Sequence, residues 1–138
     1  AQRAWRFAEA VRRAGDAPPR RVEVFLDCAA HAARLDDEKI VLTEYIVDMG
    51  YALAALASKG TDVGLTILGK AGGGVYVALA APARRVASVH GADIQVLPGA
   101  AVAAILGESR EESPGFGEFR SAGVADEELK LGLAPGSP

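Results

Sequence analysis

Along the chain, apolar residues switch between helical spacing and short unbroken runs, and the switches predict alternating helices and strands. Residues 3 to 14 place Trp5, Ala8 and Val11, with Ala4 beside them, on one face and arginines elsewhere, the pattern of a short amphipathic helix. Gly15 ends it. Pro18 and Pro19 then force an extended entry into Val22 to Leu26, a β-rich run that closes at Asp27. Cys28 to Arg34 follows neither period and reads as a loop at the strand's carboxyl end. Asp36 and Asp37 supply N-cap chemistry for a helix from about Glu38 to Ser58. Its predicted apolar face collects Val41, Leu42, Tyr45, Met49, Leu53 and Leu56, and Lys59 and Gly60 suit its C-terminal end. Gly50, in mid-helix, costs about 1 kcal/mol relative to alanine, which predicts a neighbour packed close against it.

Asp62 to Gly69 is a second strand, followed by a glycine-rich turn and an apolar helix, Val75 to Ala81, closed by Pro82. Arg84 to Val89 and Ala92 to Leu97 are two more strands, joined by a turn at His90-Gly91. Pro98-Gly99 opens a small helix, Ala100 to Leu106. Beyond Gly107 the pattern weakens to one short helix at Ala125 to Leu131, and Ala134 to Pro138 should be mobile. Strands that alternate with helices predict an α/β class with mainly parallel pairing, in which each long connection is a crossover. The expected organisation is a single domain over 1–138, with its core at 22–107 and a flexible tail at 108–138.

Composition narrows the function classes. The chain has 138 residues, 50% hydrophobic and 24% charged, enough for one domain with a modest core and too apolar for disorder. A net charge of −3, with no basic stretch, gives no footprint for nucleic acid. One cysteine excludes a disulfide framework and a multi-cysteine zinc site, and it suits a reducing cytoplasm. No apolar run approaches the roughly 20 residues of a spanning helix, and Ala1 to Arg6 leads into no apolar export segment. The chain does not begin with Met, so the expectation is either a fragment of a longer protein or a chain without its disordered residues.

The strongest local feature is Gly69-Lys70-Ala71-Gly72-Gly73-Gly74, between a strand and an apolar helix. Consecutive glycines admit a ligand to the backbone, and N–H groups opening a helix favour phosphate or a developing oxyanion. The spacing fits neither a Walker loop nor GxGxxG. A tight, closely packed turn explains the same residues. Cys28 and His31 offer a second candidate, at a strand end where α/β proteins collect ligands. They could act as a thiolate pair, or Cys28 could be a small hydrophobe and His31 a polar pocket wall or an exposed loop residue. His90 reads as a surface turn residue. No metal site is expected: the histidines are far apart, Asp36-Asp37-Glu38 reads as a helix start, and Glu111-Glu112 and Glu127-Glu128 read as solvated. No serine sits in a GxSxG elbow.

From Val22 to about Gly107 the sequence resembles the carboxyltransferase branch of the crotonase superfamily, and within it most resembles the gamma subunits of biotin-independent malonate decarboxylases. Asp27-Cys28-Ala29-Ala30-His31-Ala32 stands at the family's DxPxxA-type loop, and Asp36-Asp37-Glu38 at the acidic opening of its long helix. Gly60, the strand Val63 to Leu68 and Gly69-Lys70-Ala71-x-Gly73 follow in order, the last like the family's GKAxSG or GKAxGG. Arg84-Arg85-Val86 matches its NRxxAL strand, and Ile94 to Leu97 and Ala100 to Ile105 complete the order.

The resemblance implies a crotonase-like ββα spiral with a mostly parallel sheet, here truncated. It implies decarboxylation of a malonyl thioester held between two backbone donor sets, Gly73 with Gly74 and Ala29 or Ala30, while Gly72, Lys70 and His31 line the thioester. No tightly bound cofactor is implied; the substrate is the prosthetic thioester of an acyl carrier protein, or an acyl-CoA. The implied partners are a beta-type carboxyltransferase subunit and the acyl carrier protein, in a cytoplasmic oligomer without nucleic acid or membrane. Two alternatives are a carboxyltransferase subunit of a biotin-dependent acyl-CoA carboxylase and a non-catalytic interaction subunit that keeps the fold. A ClpP-like protease is disfavoured, since no serine occupies the helix start after the glycine loop.

Overall fold

The structure, a computed structural model, describes residues 1–29, 41–95 and 116–130. Its elements are α1 (Gln2–Ala14), β1 (Arg21–Cys28), α2 (Leu42–Ser58), β2 (Asp62–Gly72), α3 (Gly73–Ala80), β3 (Arg85–Val89), β4 (Asp93–Gln95), α4 (Phe116–Ser121) and β5 (Glu127–Leu129). The expected small helix at Ala100 to Leu106, the acidic opening at Asp36 to Glu38, Glu111-Glu112 and the C-terminal residues from Leu131 lie outside the described residues.

Every strand pair is parallel. β2 is central: β1 pairs along one edge, and β3 and then β4 pair along the other, with β5 beyond β3. Ala71 pairs with both Cys28 and Ile94, so the last turn of β2 is flanked on both sides. Parallel strands cannot be joined by hairpins, so α2 and α3 are the crossovers that return the chain to the start of the next strand. At that entry end, Thr61 Oγ1 donates to the Pro19 carbonyl (2.8 Å) and Asp62 N–H to the Arg20 carbonyl (2.9 Å).

One sheet face packs on the helices. Val24, Leu26, Val63, Leu65, Ile67 and Val86 join Ala8 and Val11 of α1 and Leu42, Ile46, Met49, Leu53 and Leu56 of α2 in a single core. The α2 stripe is displaced from the expected one. Ile46 and Ala52 are buried, whereas Tyr45 is only half-buried and Val41 is exposed in a left-handed turn before the helix. Leu42, Ile46, Met49, Leu53 and Leu56 keep three- and four-residue steps about one meridian, and Val41 and Tyr45 fall on its flank. Trp5 is likewise corrected: it is 49% exposed, and α1 buries only Ala8 and Val11. Lys59 Nζ donates to the Gly15 carbonyl (2.7 Å), tying the C-terminal ends of α1 and α2 together.

Within the stretch predicted as a helix at Ala125 to Leu131, the described residues instead carry β5, Glu127–Leu129. The exposed ladder of β3 offered more backbone hydrogen bonds than a short isolated helix could make. Asp126 reinforces the join, its N–H donating to the Val86 carbonyl and its carboxylate accepting the Val86 N–H (2.8 and 2.7 Å). The Glu127-Glu128 pair is therefore engaged rather than freely solvated, Glu127 with Arg85 and Glu128 with His90.

The second sheet face carries a polar row. Glu23 accepts from Thr66 Oγ1 (2.6 Å), Arg21 (2.8 Å) and Arg85 (3.1 Å), and Arg85 also meets Glu127. Burial pushes the Glu23 carboxyl up, but Thr66, Arg21 and Arg85 together outweigh it and hold the group below its ordinary value of 4.5.

Two consequences are measurable. A Cβ on Gly50 would stand 2.7 Å from the Ala78 carbonyl oxygen, so α2 and α3 touch through this glycine, as its mid-helix position predicts. Gly50→Ala should destabilise the protein by about 1–3 kcal/mol by denaturant titration, despite alanine's better helix propensity. Because Glu23 has a depressed folded value, its stabilisation is present above pH 4.5 and is lost as pH falls below that towards and through the lower folded value. Glu23→Gln should therefore cost stability at pH 7 and flatten the loss below pH 4.5, whereas a parallel acid profile would count against the network.

Candidate functional site

The glycine segment is not the simple turn that its composition predicts. β2 continues as strand through Lys70, Ala71 and Gly72, because β4 pairs with those three residues. Gly72 is extended (φ −158°, ψ 163°) and caps α3. Gly73 then turns left-handed (φ +56°), a conformation costly for residues with a Cβ. Strand becomes helix across a single peptide, with no connecting loop.

That junction is crowded by backbone. A Cβ on Gly72 would collide with the Ala29 carbonyl oxygen and stand 2.9 Å from the Gln95 carbonyl oxygen. The carboxyl end of β1, the carboxyl ends of β2 and β4, and the N-terminus of α3 thus converge on one point. The close-packing reading of these glycines holds at Gly72. Gly72 is needed for close approach, and Gly73 and Gly74 open a helix.

Electrostatically, the first turn of α3 has no acidic side chain, and Gly72 brings no side-chain cap. The positive end of the helix is left for an external anion or a developing negative charge. Beside it runs a groove of about 510 Å³ between α2 and α3, floored by Gly50 and Ala78, walled by Val47, Tyr51 and Val77, and reaching Gly74. Helix α3 is anchored from behind: the buried Tyr76 donates through its hydroxyl to the Val124 carbonyl (2.6 Å). Burial, and then the Asp126 charge, push the Tyr76 phenol up, so it stays a neutral donor.

Of the residues singled out from the sequence, the structure brings Ala29 and Gly72 into contact and sets Gly73 and Gly74 immediately after. Lys70 is exposed on the final strand segment. Ala30 and His31 lie outside the described residues, and Cys28 is half-buried at the end of β1. Asp27, the strand end and the first residue of the DxPxxA-type loop, has a contact that neither reading predicts: its carboxylate accepts the Lys70 N–H (2.9 Å).

No family model and no curated protein matches the chain. Solved structures do. A Pseudomonas malonate decarboxylase hetero-tetramer in complex with coenzyme A superposes with a TM-score of 0.81 at 23% identity, over 93% of this chain and 56% of that one. A Pseudomonas malonate decarboxylase hetero-dimer gives the same TM-score, 0.81, at 21% identity and the same coverage. Transcarboxylase 12S, a hexamer with hydrolysed methylmalonyl-coenzyme A bound, gives 0.76 at 18% identity over 92% of this chain and 26% of that one. The chain therefore shares the crotonase-like α/β fold of these structures and spans about half the length of the decarboxylase chains it matches.

The anchor behind α3 is open to test. Tyr76→Phe, which leaves the Val124 carbonyl without its donor, should lower stability by about 1 kcal/mol in a denaturant titration. An unchanged midpoint would show that this bond does not hold α3.

Proposed function

We propose that this chain is a subunit of a biotin-independent malonate decarboxylase and holds a malonyl thioester through backbone donors at the β2–α3 junction. The observation that carries the reading is the meeting of Ala29 with Gly72, beside a helix N-terminus free of acidic residues. The likeness to malonate decarboxylase structures supports it at the level of fold. The N–H groups of Gly73 and Gly74 form one donor set, and the chain leaving β1, at Ala29 or Ala30, supplies the other. Gly72 lets the two approach, and Lys70 and His31 border the thioester.

The chemistry suits such a site. The bond between the α-carbon and the terminal carboxylate breaks, and its electron pair delocalises onto the thioester oxygen as carbon dioxide leaves. The α-carbon then takes a proton from water, giving the acetyl thioester. Fixed N–H donors stabilise the oxygen as its charge develops, and no charged side chain is required. The acyl group is carried as the prosthetic thioester of an acyl carrier protein, with a beta-type carboxyltransferase subunit completing the enzyme. The likeness to transcarboxylase 12S supports a second reading, a biotin-dependent acyl-CoA carboxyltransferase subunit using the same donors.

The full chain, combined with its beta-type partner, should release carbon dioxide from malonyl thioester. Gly72→Ala should reduce that rate by on the order of 10²–10³ by driving the two donor sets apart, with the helical circular dichroism preserved. Carboxybiotin-dependent exchange without carbon dioxide release would favour the second reading. No turnover of either kind, with no acetyl-CoA-induced thermal shift, would leave a non-catalytic interaction subunit of the same fold.

A further inference from the structure

The pairing of β1 with β2 is broken at one place. Leu26 pairs with Ile67, but Cys28 pairs with Ala71, so β2 spends Leu68, Gly69 and Lys70 opposite Asp27 alone. A bulge of this kind takes backbone N–H groups out of the ladder and redirects the bulged strand. Asp27 fills it. Its Oδ1 accepts the Lys70 N–H at 2.9 Å, and a Cβ built on Gly69 would stand 2.7 Å from that same oxygen.

The position of this contact gives it a consequence. Lys70 begins the three-residue stretch that pairs with β4 and ends at Gly72, and Asp27 lies two residues before Ala29. One carboxylate therefore joins the two segments whose ends meet at the strand-to-helix junction. We infer that Asp27 is a positioning residue, setting the spacing between the end of β1 and the Gly72–Gly73 peptide through its hydrogen bond to Lys70 N–H. Its importance for thioester binding rests on the reading given under Proposed function; its effect on the backbone does not.

The separation of these two points decides the experiment, made on the full chain. In Asp27→Ala, amide hydrogen exchange over residues 70–74 should accelerate at least tenfold while amides of Leu65 and Ile67 stay as protected as before. Asp27→Asn keeps an acceptor oxygen and should stay within threefold of the wild type. Gly69→Ala, which displaces the carboxylate without removing it, should resemble Asp27→Ala. Acetyl-CoA affinity by calorimetry should follow the same order, with Asp27→Ala weakened at least tenfold. Unchanged exchange over 70–74 in both Asp27→Ala and Gly69→Ala would overturn the inference, as would an Asp27→Asn variant as perturbed as alanine. If the wild type binds no acetyl-CoA, the thioester reading fails while the exchange data still decide the role of Asp27.

Discussion

Everything about this molecule is organised around the obligation of β2 to hydrogen-bond on both edges. It is eleven residues long and lies between β1 on one side and β3 and β4 on the other. A strand so enclosed must be apolar on its helix-facing side, which Val63, Leu65 and Ile67 satisfy. It must also emerge from the sheet at its carboxyl end without leaving buried amides unpaired. The chain meets the second demand with β4, which pairs Lys70 to Gly72, and with Asp27, which takes the Lys70 N–H where the ladder slips. Gly72 then sits where two neighbouring carbonyls leave no room for a side chain.

The same constraint builds the candidate site. Because all strands run parallel, their carboxyl ends gather on one side, and the crossover helix α3 starts there with its positive end inward. Backbone groups thus supply the polarity of the site, consistent with a chain of low net charge and few clustered ionisable side chains. Apart from Asp27 and Lys70, the charged side chains named above work elsewhere. Glu23, Arg21, Arg85 and Glu127 link β1, β3 and β5 on the opposite sheet face, and Asp126 pins β5 to β3.

Legibility from sequence followed the range of the interactions. The long α2, the apolar runs of β1 to β3 and the tight contact at Gly50 were readable, because each is written in local periodicity or in a glycine that local structure does not want. The stripe on α2 differs from the expected one, since Val41, Tyr45 and Ile46 can each serve an apolar face and only the packed neighbours choose among them. The tail was misread as helix because the composition of Ala125 to Leu131 favours one, while β3 presents an open edge that no local pattern announces. The glycine segment was recognised as important, and its resemblance to GKAxGG anticipated the fold. Its strand character and the role of Asp27 were not visible.

The sequence by itself determined the α/β alternation, the parallel connectivity and the place where helix follows glycine, because hydrophobic period and backbone permissiveness are local properties. Only the tertiary structure decided which glycine is structural and which opens the helix, and that Ala29 is the residue meeting them. It also decided that the Asp27 carboxylate accepts the Lys70 N–H beside the junction. Those facts depend on two segments more than forty residues apart arriving at one point, with a register slip of β2 against β1 that has no trace in either strand alone.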